Sequence, residues 1–245
     1  MPQPRSPLFM ARAVVMALAL LAFVMTLASG PGIRFGAWSW ETGLTILKYA
    51  TYAGLAAALG ALILIATLVV PRLRVHPWVP VLALCLGLVA AAPALVLLSK
   101  AKSLPLIHDV STDLADPPAF VALAEARKAS PNGLAYGGAK VADEQRRGYP
   151  DIKPLMVKTA PNETVQRAID AARSLGWEIA ASDSAAGRIE ATDTTAFFGF
   201  KDDVVVRIRP EGSGSRVDVR SVSRVGESDI GANAERIRKF LAKLA

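Results

Sequence analysis

Apolar positions follow two regimes along the chain. Up to residue 104 they form long uncharged runs, 21 residues at 13–33, 23 at 49–71 and 23 at 77–99. Each is near the roughly 20 residues an α-helix needs to cross the hydrocarbon core of a bilayer. Beyond Ser103 no such run recurs, and short periods take over. Val204, Val206 and Ile208 alternate with Val205, Arg207 and Arg209, a period of two that predicts a strand with one buried face. Pro210 ends it, and Glu211 to Ser215, with two glycines, is turn chemistry. A second strand follows, with Val217, Val219 and Val225 on one face and Arg216, Asp218, Arg220, Val222 and Arg224 on the other. Gly226 breaks it, and Ile230, Ala234, Ile237, Leu241 and Leu244 then recur at helical spacing behind a cap from Ser228 or Asp229.

The stretch before this hairpin is read in the same way. Residues 104–118, rich in Pro and Asp, predict an extended connector, 118–129 a short helix and 130–148 a loop. Residues 152–157 predict a strand. Pro161 opens a helix striped by Val165, Ala168, Ile169, Ala172 and Leu175, which Gly176 stops. Trp177, Ile179 and Ala181 alternate as the next strand, and 188–194 returns with Ile189 and Ala191 inward, leaving Glu178, Arg188 and Glu190 on a solvated face. Phe197, Phe198 and Phe200 surround Gly199, where core packing outweighs an exposed contact. The fold class expected is an α+β soluble domain, an antiparallel sheet covered on one face by two helices, at 105–245. A bundle of three transmembrane α-helices precedes it within 1–104.

Charge divides the chain at the same place. Eight of the 28 Lys and Arg but one of the 21 acids, Glu41, precede residue 105, so the remainder carries 20 of each. The net charge of +7 therefore belongs to the membrane flanks, and nucleic acid, which needs the excess on the soluble part, is excluded as a partner. Arg5 and Arg12 precede the first run, and Arg72 and Arg74 lie between the second and third. By the positive-inside rule these segments are cytoplasmic, and three spans then put the C-terminal domain on the periplasmic side of a bacterial inner membrane. Lys100 and Lys102 oppose this mildly. A rival reading makes the first run a signal peptide cleaved near Thr26-Leu27-Ala28, and it leaves the domain outside as well. With Cys85 alone no intrachain disulfide can form. The second and third runs are rich in Gly and Ala, with Ala56 and Gly60 at a spacing that lets helices approach, and they lack ionisable groups at mid-membrane. They read as anchor and assembly element, with the lipid bilayer as the first partner.

Specific residues carry a family resemblance over about 105–245. Phe198-Gly199-Phe200 with Asp202-Asp203, Arg207, Arg220-Ser221, Ser223-Arg224, Gly226, Ser228-Asp229, Gly231, Asn233 and Arg236 form one part. Ile107 to Asp113 with Asp116-Pro117-Pro118 and Phe120, and Tyr149-Pro150-Asp151-Ile152 with Pro154-Leu155, form the others. The chain resembles the uncharacterised bacterial and plastid family catalogued as domain of unknown function 1499. Many relatives carry a Pro-Asn-Cys-Val-Ser-Ser type segment where this chain has Pro131-Asn132-Gly133-Leu134-Ala135-Tyr136, so no thiol role carries over. The resemblance implies a shape and no chemistry.

Candidate chemistry centres on the junction of hairpin and last helix. Free backbone N–H groups of a helix start and the Arg224 guanidinium can converge on one anion. Arg207, Arg220, Ser223, Arg224, Ser228, Asp229 and Asn233 are the candidate ligand contacts. In the competing reading Asp229 is simply the cap, and the arginines are solvated or paired with Asp218, Glu190 and Asp203. Asp202, Asp203 or Asp229 could act as acid or base in an enzyme, yet no nucleophile with an evident base accompanies them. The His108-Asp109 pair has no second histidine on its side of the membrane, and Asp109, Asp113 and Asp116 lack the glycine and later glutamate of an EF-hand, so neither a metal nor a cofactor is expected. The favoured function is a non-catalytic envelope module binding a partner protein, a lipid headgroup or an anionic small molecule. The alternatives are an Asp/Arg envelope enzyme and a membrane-organising protein whose domain is a spacer.

Overall fold

The computed structural model describes residues 7–69 and 76–245. Arg5, Arg72 and Arg74, on which part of the orientation argument rests, lie outside them. Two compact units result, one taking in the described residues up to Ser99 with Phe197–Gly199, the other Lys100–Ala196 with Phe200–Ala245.

In the first unit three helices are long and apolar enough to cross a membrane. They are α1 (Pro7–Arg34), α2 (Trp40–Ala66, continued by a 3-10 turn, Thr67–Val69) and α3 (Trp78–Ser103). The first two reach further toward each other than the apolar runs suggest, because Ser39 Oγ accepts from the Thr42 N–H and starts α2 directly after a short turn. The small residues do set the helix contacts, and Gly60 is one of them, since a Cβ there would stand 2.9 Å from Val15 Cγ2 of α1. Ala56 is exposed, while a Cβ on Gly54 would stand 2.6 Å from the Gly87 carbonyl oxygen. The backbones of α2 and α3 therefore touch where only glycine fits. Thr26 Oγ1 donates to the Ala90 carbonyl at 2.9 Å, a polar tie between α1 and α3. Phe197 and Phe198 meet edge to face at 4.9 Å, and Phe197 remains half-exposed, so the sheet's core does not take it.

The second unit is built on a six-stranded antiparallel sheet. Its strands are β1 (Asp109–Ser111), β2 (Leu155–Val157), β3 (Glu178–Asp183), β4 (Arg188–Thr194), β5 (Lys201–Glu211) and β6 (Gly214–Ser223). The order is β1-β6-β5-β4-β3, with β2 also pairing β6. The connector expected before Pro118 contributes β1, which forms because Asp109–Ser111 finds the edge of β6, Val110 opposite Ser221. Four helices complete the unit: α4 (Ala124–Lys128), α5 (Gly138–Gly148), α6 (Pro161–Ser174) and α7 (Ala232–Leu244). The loop expected over 130–148 thus holds a helix, whose inward side chains are Ala142 and Gln145.

The even positions of β5 and odd positions of β6 pack under α6 and α7, as their alternation requires. Val204, Val206, Ile208, Val217 and Val219 meet Val165, Ala168, Ile169, Ala234, Ile237 and Phe240 in the main core. Trp177 stacks on Phe240 with ring centroids 5.0 Å apart. The opposite sheet face departs from expectation. The stretch 118–134 lies across it, setting Phe120, Leu123 and Leu134 on Val205 and Val222. The sheet is therefore covered in part on its second face too.

Candidate functional site

The sheet face away from α6 and α7 gathers most of the candidate arginines. Their alternation with valine on β5 and β6 puts Asp203, Arg207, Arg216, Asp218, Arg220 and Val222 there, and Asp109 joins them because it pairs with Val222. Asp203, with no exposed surface, is the centre of one cluster. Its Oδ2 accepts from Arg127 Nη1 at 3.0 Å and Arg224 Nε at 2.9 Å, and its Oδ1 from Arg224 Nη2 and Thr192 Oγ1, both at 2.8 Å. Arg127, from α4, is also fully buried; its Nε donates to the Gly133 carbonyl, and its guanidinium lies 5.1 Å from the centre of the Phe120 ring. Burial pulls its pKa below the ordinary guanidinium value, against the opposing pull of Asp203. Sequence reading passed over Arg127, whose one signal was an arginine inside a segment with apolar Phe120 and Leu123.

Arg220 forms a second buried pair. Its Nε and Nη2 grip the Asp109 carboxylate at 3.0 and 2.7 Å, and its guanidinium sits 5.6 Å from the Phe120 ring centre and 5.5 Å from that of Tyr136. A fork on a carboxylate flanked by two rings is a geometry that arginine alone provides. Tyr136 is pushed up to about 12 by burial and then by Asp109. A third, more open cluster joins Arg207, Arg209 and Arg216 to Asp113 and Asp218. Asp113 lies below its ordinary pKa: burial raises it, but N–H donors of Asp116 and Ala115 with Arg216 and Arg207 outweigh that. Glu190, expected on a solvated face, is 1% exposed and anchors the covering stretch. Its carboxylate accepts the N–H groups of Val121, Ala122 and Leu123 at 2.8, 3.1 and 2.8 Å.

On the helix side of the sheet a separate polar cluster lies under the start of α7. Arg236 donates to Asp202 at 2.6 Å and Asp193 at 2.7 Å. Asn233 accepts from Ser221 and Arg236 through Oδ1 and donates to Ser223 Oγ and the His108 carbonyl. The two carboxylates Asp202 and Asp203, adjacent in sequence, thus serve opposite faces.

A family model matches residues 109–244, from the first residue of β1 to the last of α7, and its description is protein of unknown function (DUF1499). The chain belongs to the DUF1499 family. No curated protein matches it.

Within this DUF1499 domain the start of α7 is occupied by its own sequence. Asp229 accepts the Gly231 N–H at 2.8 Å and the Asn233 N–H at 2.9 Å, and Ser228 Oγ accepts the Ile230 N–H. This closes a turn in which Ile230 (φ 50) and Gly231 (φ 82) are both left-handed, so Ile230 precedes the helix it was expected to begin. Burial raises the Asp229 pKa, offset in part by the Asn233 and Gly231 N–H groups. Arg224 faces Asp203 on the other side of the sheet and does not converge with that helix start. Of the sequence candidates, Ser223 and Asn233 come together, as do Asp203 and Arg224, while Arg207 and Arg220 enter separate clusters. Arg207 pairs with Asp218 and Arg224 with Asp203, as the competing reading has it, whereas Arg220 pairs with Asp109. Asp109, Asp113 and Asp116 are likewise turned to arginine, and among the described residues no group of three or more His, Cys, Asp or Glu is gathered to hold a metal ion.

The DUF1499 domain also has an open cleft of about 550 Å³ that the sequence did not announce. Its walls are the stretches 112–115 and 149–154, with Gln145, Arg146 and Arg216 completing the lining.

Proposed function

We propose that the protein is a multi-pass protein of the bacterial inner membrane, with a cytoplasmic N-terminus, whose DUF1499 domain is a non-catalytic binding module on the periplasmic side. The observation that carries the module reading is the commitment of the junction carboxylates. Asp202 is held by Arg236, Asp203 by Arg127, Arg224 and Thr192, and Asp229 by two backbone N–H groups. A carboxylate whose lone pairs are filled by fixed donors is poorly placed to carry protons for a substrate. In this reading Arg207, Arg220, Ser223, Arg224, Ser228, Asp229 and Asn233 shape the module and do not touch its ligand.

The orientation rests on the positive-inside rule. Arg12 donates to the His76 carbonyl at 2.9 Å, so the start of α1 and the approach to α3 share one end of the first unit, and in the sequence Arg5, Arg12, Arg72 and Arg74 cluster in those two segments. Alkaline phosphatase fused after Ala245 is expected to be active in cells and a green fluorescent protein fusion at the same point dark; the reverse pattern places the domain in the cytoplasm.

Native mass spectrometry of the full chain, released gently from its own membrane, tests the module itself. The expected spectrum shows a copurifying small-molecule mass, retained by any Arg224→Ala protein that stays folded. A bare mass in every preparation overturns the small-ligand reading.

A further inference from the structure

We infer that the cleft between residues 112–115 and 149–154 binds a small amphiphilic organic anion, with its acidic group against Lys153 and Arg146 and its apolar body along Leu114 and Ile152. The inference rests on the module reading above and names the site and ligand class for it.

Charge is the first support. The lining holds Arg146, Lys153 and Arg216 against a single acid, Asp113. Asp113 is already engaged by Arg207 at 3.2 Å and Arg216 at 2.9 Å, and its other oxygen accepts the N–H groups of Ala115 and Asp116. It has little attraction left for a cation. Among the described residues Lys153 enters no ion pair, and Arg146 has only Asp143, an exposed partner one helical turn away. Exposed pairs of that kind contribute little and are readily exchanged. The site thus offers two available cations beside Arg216, which the fold consumes.

Shape is the second. Small-molecule sites are concave and mostly apolar, with a few fixed polar groups, and span about 300–1,000 Å³, a range that includes this cleft. Its walls are tied down before any ligand arrives. Gln145 accepts the Ser111 N–H at 2.9 Å and donates to the Ser111 carbonyl at 2.7 Å, fastening α5 to β1 as a strand neighbour would. On the other wall Arg238 forks onto Asp151 at 2.6 and 2.8 Å and lies 5.5 Å from the centre of the Tyr149 ring. Tyr149 is buried, and its hydroxyl has no hydrogen-bond partner among the described residues. Fixed walls lower the ordering cost of binding.

The test uses the full chain in phosphatidylcholine nanodiscs, photolabelled with 4-benzoylbenzoate or with uncharged benzophenone and mapped by peptide mass spectrometry. Benzoylbenzoate adducts are expected to concentrate on peptides containing 112–115 and 149–154. They should fall by roughly tenfold or more in the double variant Arg146→Glu with Lys153→Glu, as when attractive charges become repulsive. Both positions are exposed, so the thermal unfolding of that variant should match the wild type. Scattered adducts, adducts indifferent to the double variant, or equal labelling of the cleft by benzophenone would overturn the assignment. A native small-molecule mass that copurifies equally with wild type and double variant also overturns this site while leaving the module reading standing. A bare mass in all preparations fails the module reading itself.

Discussion

Asp203→Ala is expected to cost the domain about 3–5 kcal/mol, the range seen when one partner of a buried ion pair is removed. The carboxylate has no exposed surface and holds four donors, two of them from Arg224 and one from Arg127. Arg224 is partly exposed and can turn to water once released. Arg127 cannot, because its side chain is wholly enclosed by the covering stretch and Phe120. The substitution therefore leaves a charge in a low-dielectric setting with backbone carbonyls as its remaining acceptors. Domains of this size are stable by only about 5–15 kcal/mol, so the loss takes a large share. Thermal unfolding of the full chain in nanodiscs, followed by near-UV circular dichroism, measures it. Asp143→Ala, which removes one side of an exposed pair, is the control and should move the transition little. Arg127→Met combined with Asp203→Leu should recover much of the loss, since apolar replacement of both partners removes the stranded charge. Equal shifts for Asp203→Ala and Asp143→Ala would show that the cluster does not hold the domain.

The same cluster shows what periodicity can reach. Alternation in β5 and β6 identifies which valines face the helices and which arginines face away, because side-chain direction in a strand is fixed by position parity. It says nothing of what covers the second face. That information lies in contacts far apart in sequence: Arg220 meets Asp109 across 111 positions, and Glu190 meets Leu123 across 67. A strand position with a charged residue therefore reads as solvated until the covering stretch is in place. The α5 helix was hidden for another reason. Gly137 and Gly138 and the charged run after them have the composition of a loop, and the decisive side chain, Gln145, acts as a backbone surrogate for β1. Ile230 fitted a helical period but falls in the left-handed turn that Asp229 closes. The long apolar helices and the α6 and α7 stripes were legible because each satisfies its own local period. The cleft was not, since its walls come from two stretches with no common period.

Glu190→Ala should detach the covering stretch while leaving the main core closed. One carboxylate accepts the three successive N–H groups of Val121, Ala122 and Leu123, and Arg188 Nε approaches it at 3.4 Å from the neighbouring surface. Hydrogen bonds to a charged group contribute about 1.5–3 kcal/mol each, and because these three share one acceptor the expected loss is about 3 kcal/mol or more. The effect should be local first. Phe120 and Leu123 touch Val205 and Val222, whereas the cluster under α6 and α7 has its own strand faces. Hydrogen exchange of the full chain resolves the two. Amides of 119–134 are expected to exchange faster by two orders of magnitude or more, in keeping with roughly 1.4 kcal/mol per tenfold, while β5 and β6 amides keep most of their protection. Glu190→Gln should fall between, because its one oxygen can still accept from Val121 and Ala122 but its amide nitrogen confronts the Leu123 N–H. Unchanged protection at Val121, Ala122 and Leu123 in Glu190→Ala would mean that packing of Phe120 and Leu123 together with the Arg127–Asp203 pair holds the stretch. Simultaneous loss of protection in both regions would mean that the second face is part of the same cooperative unit as the core, and Arg127 would then be buried by the fold as a whole.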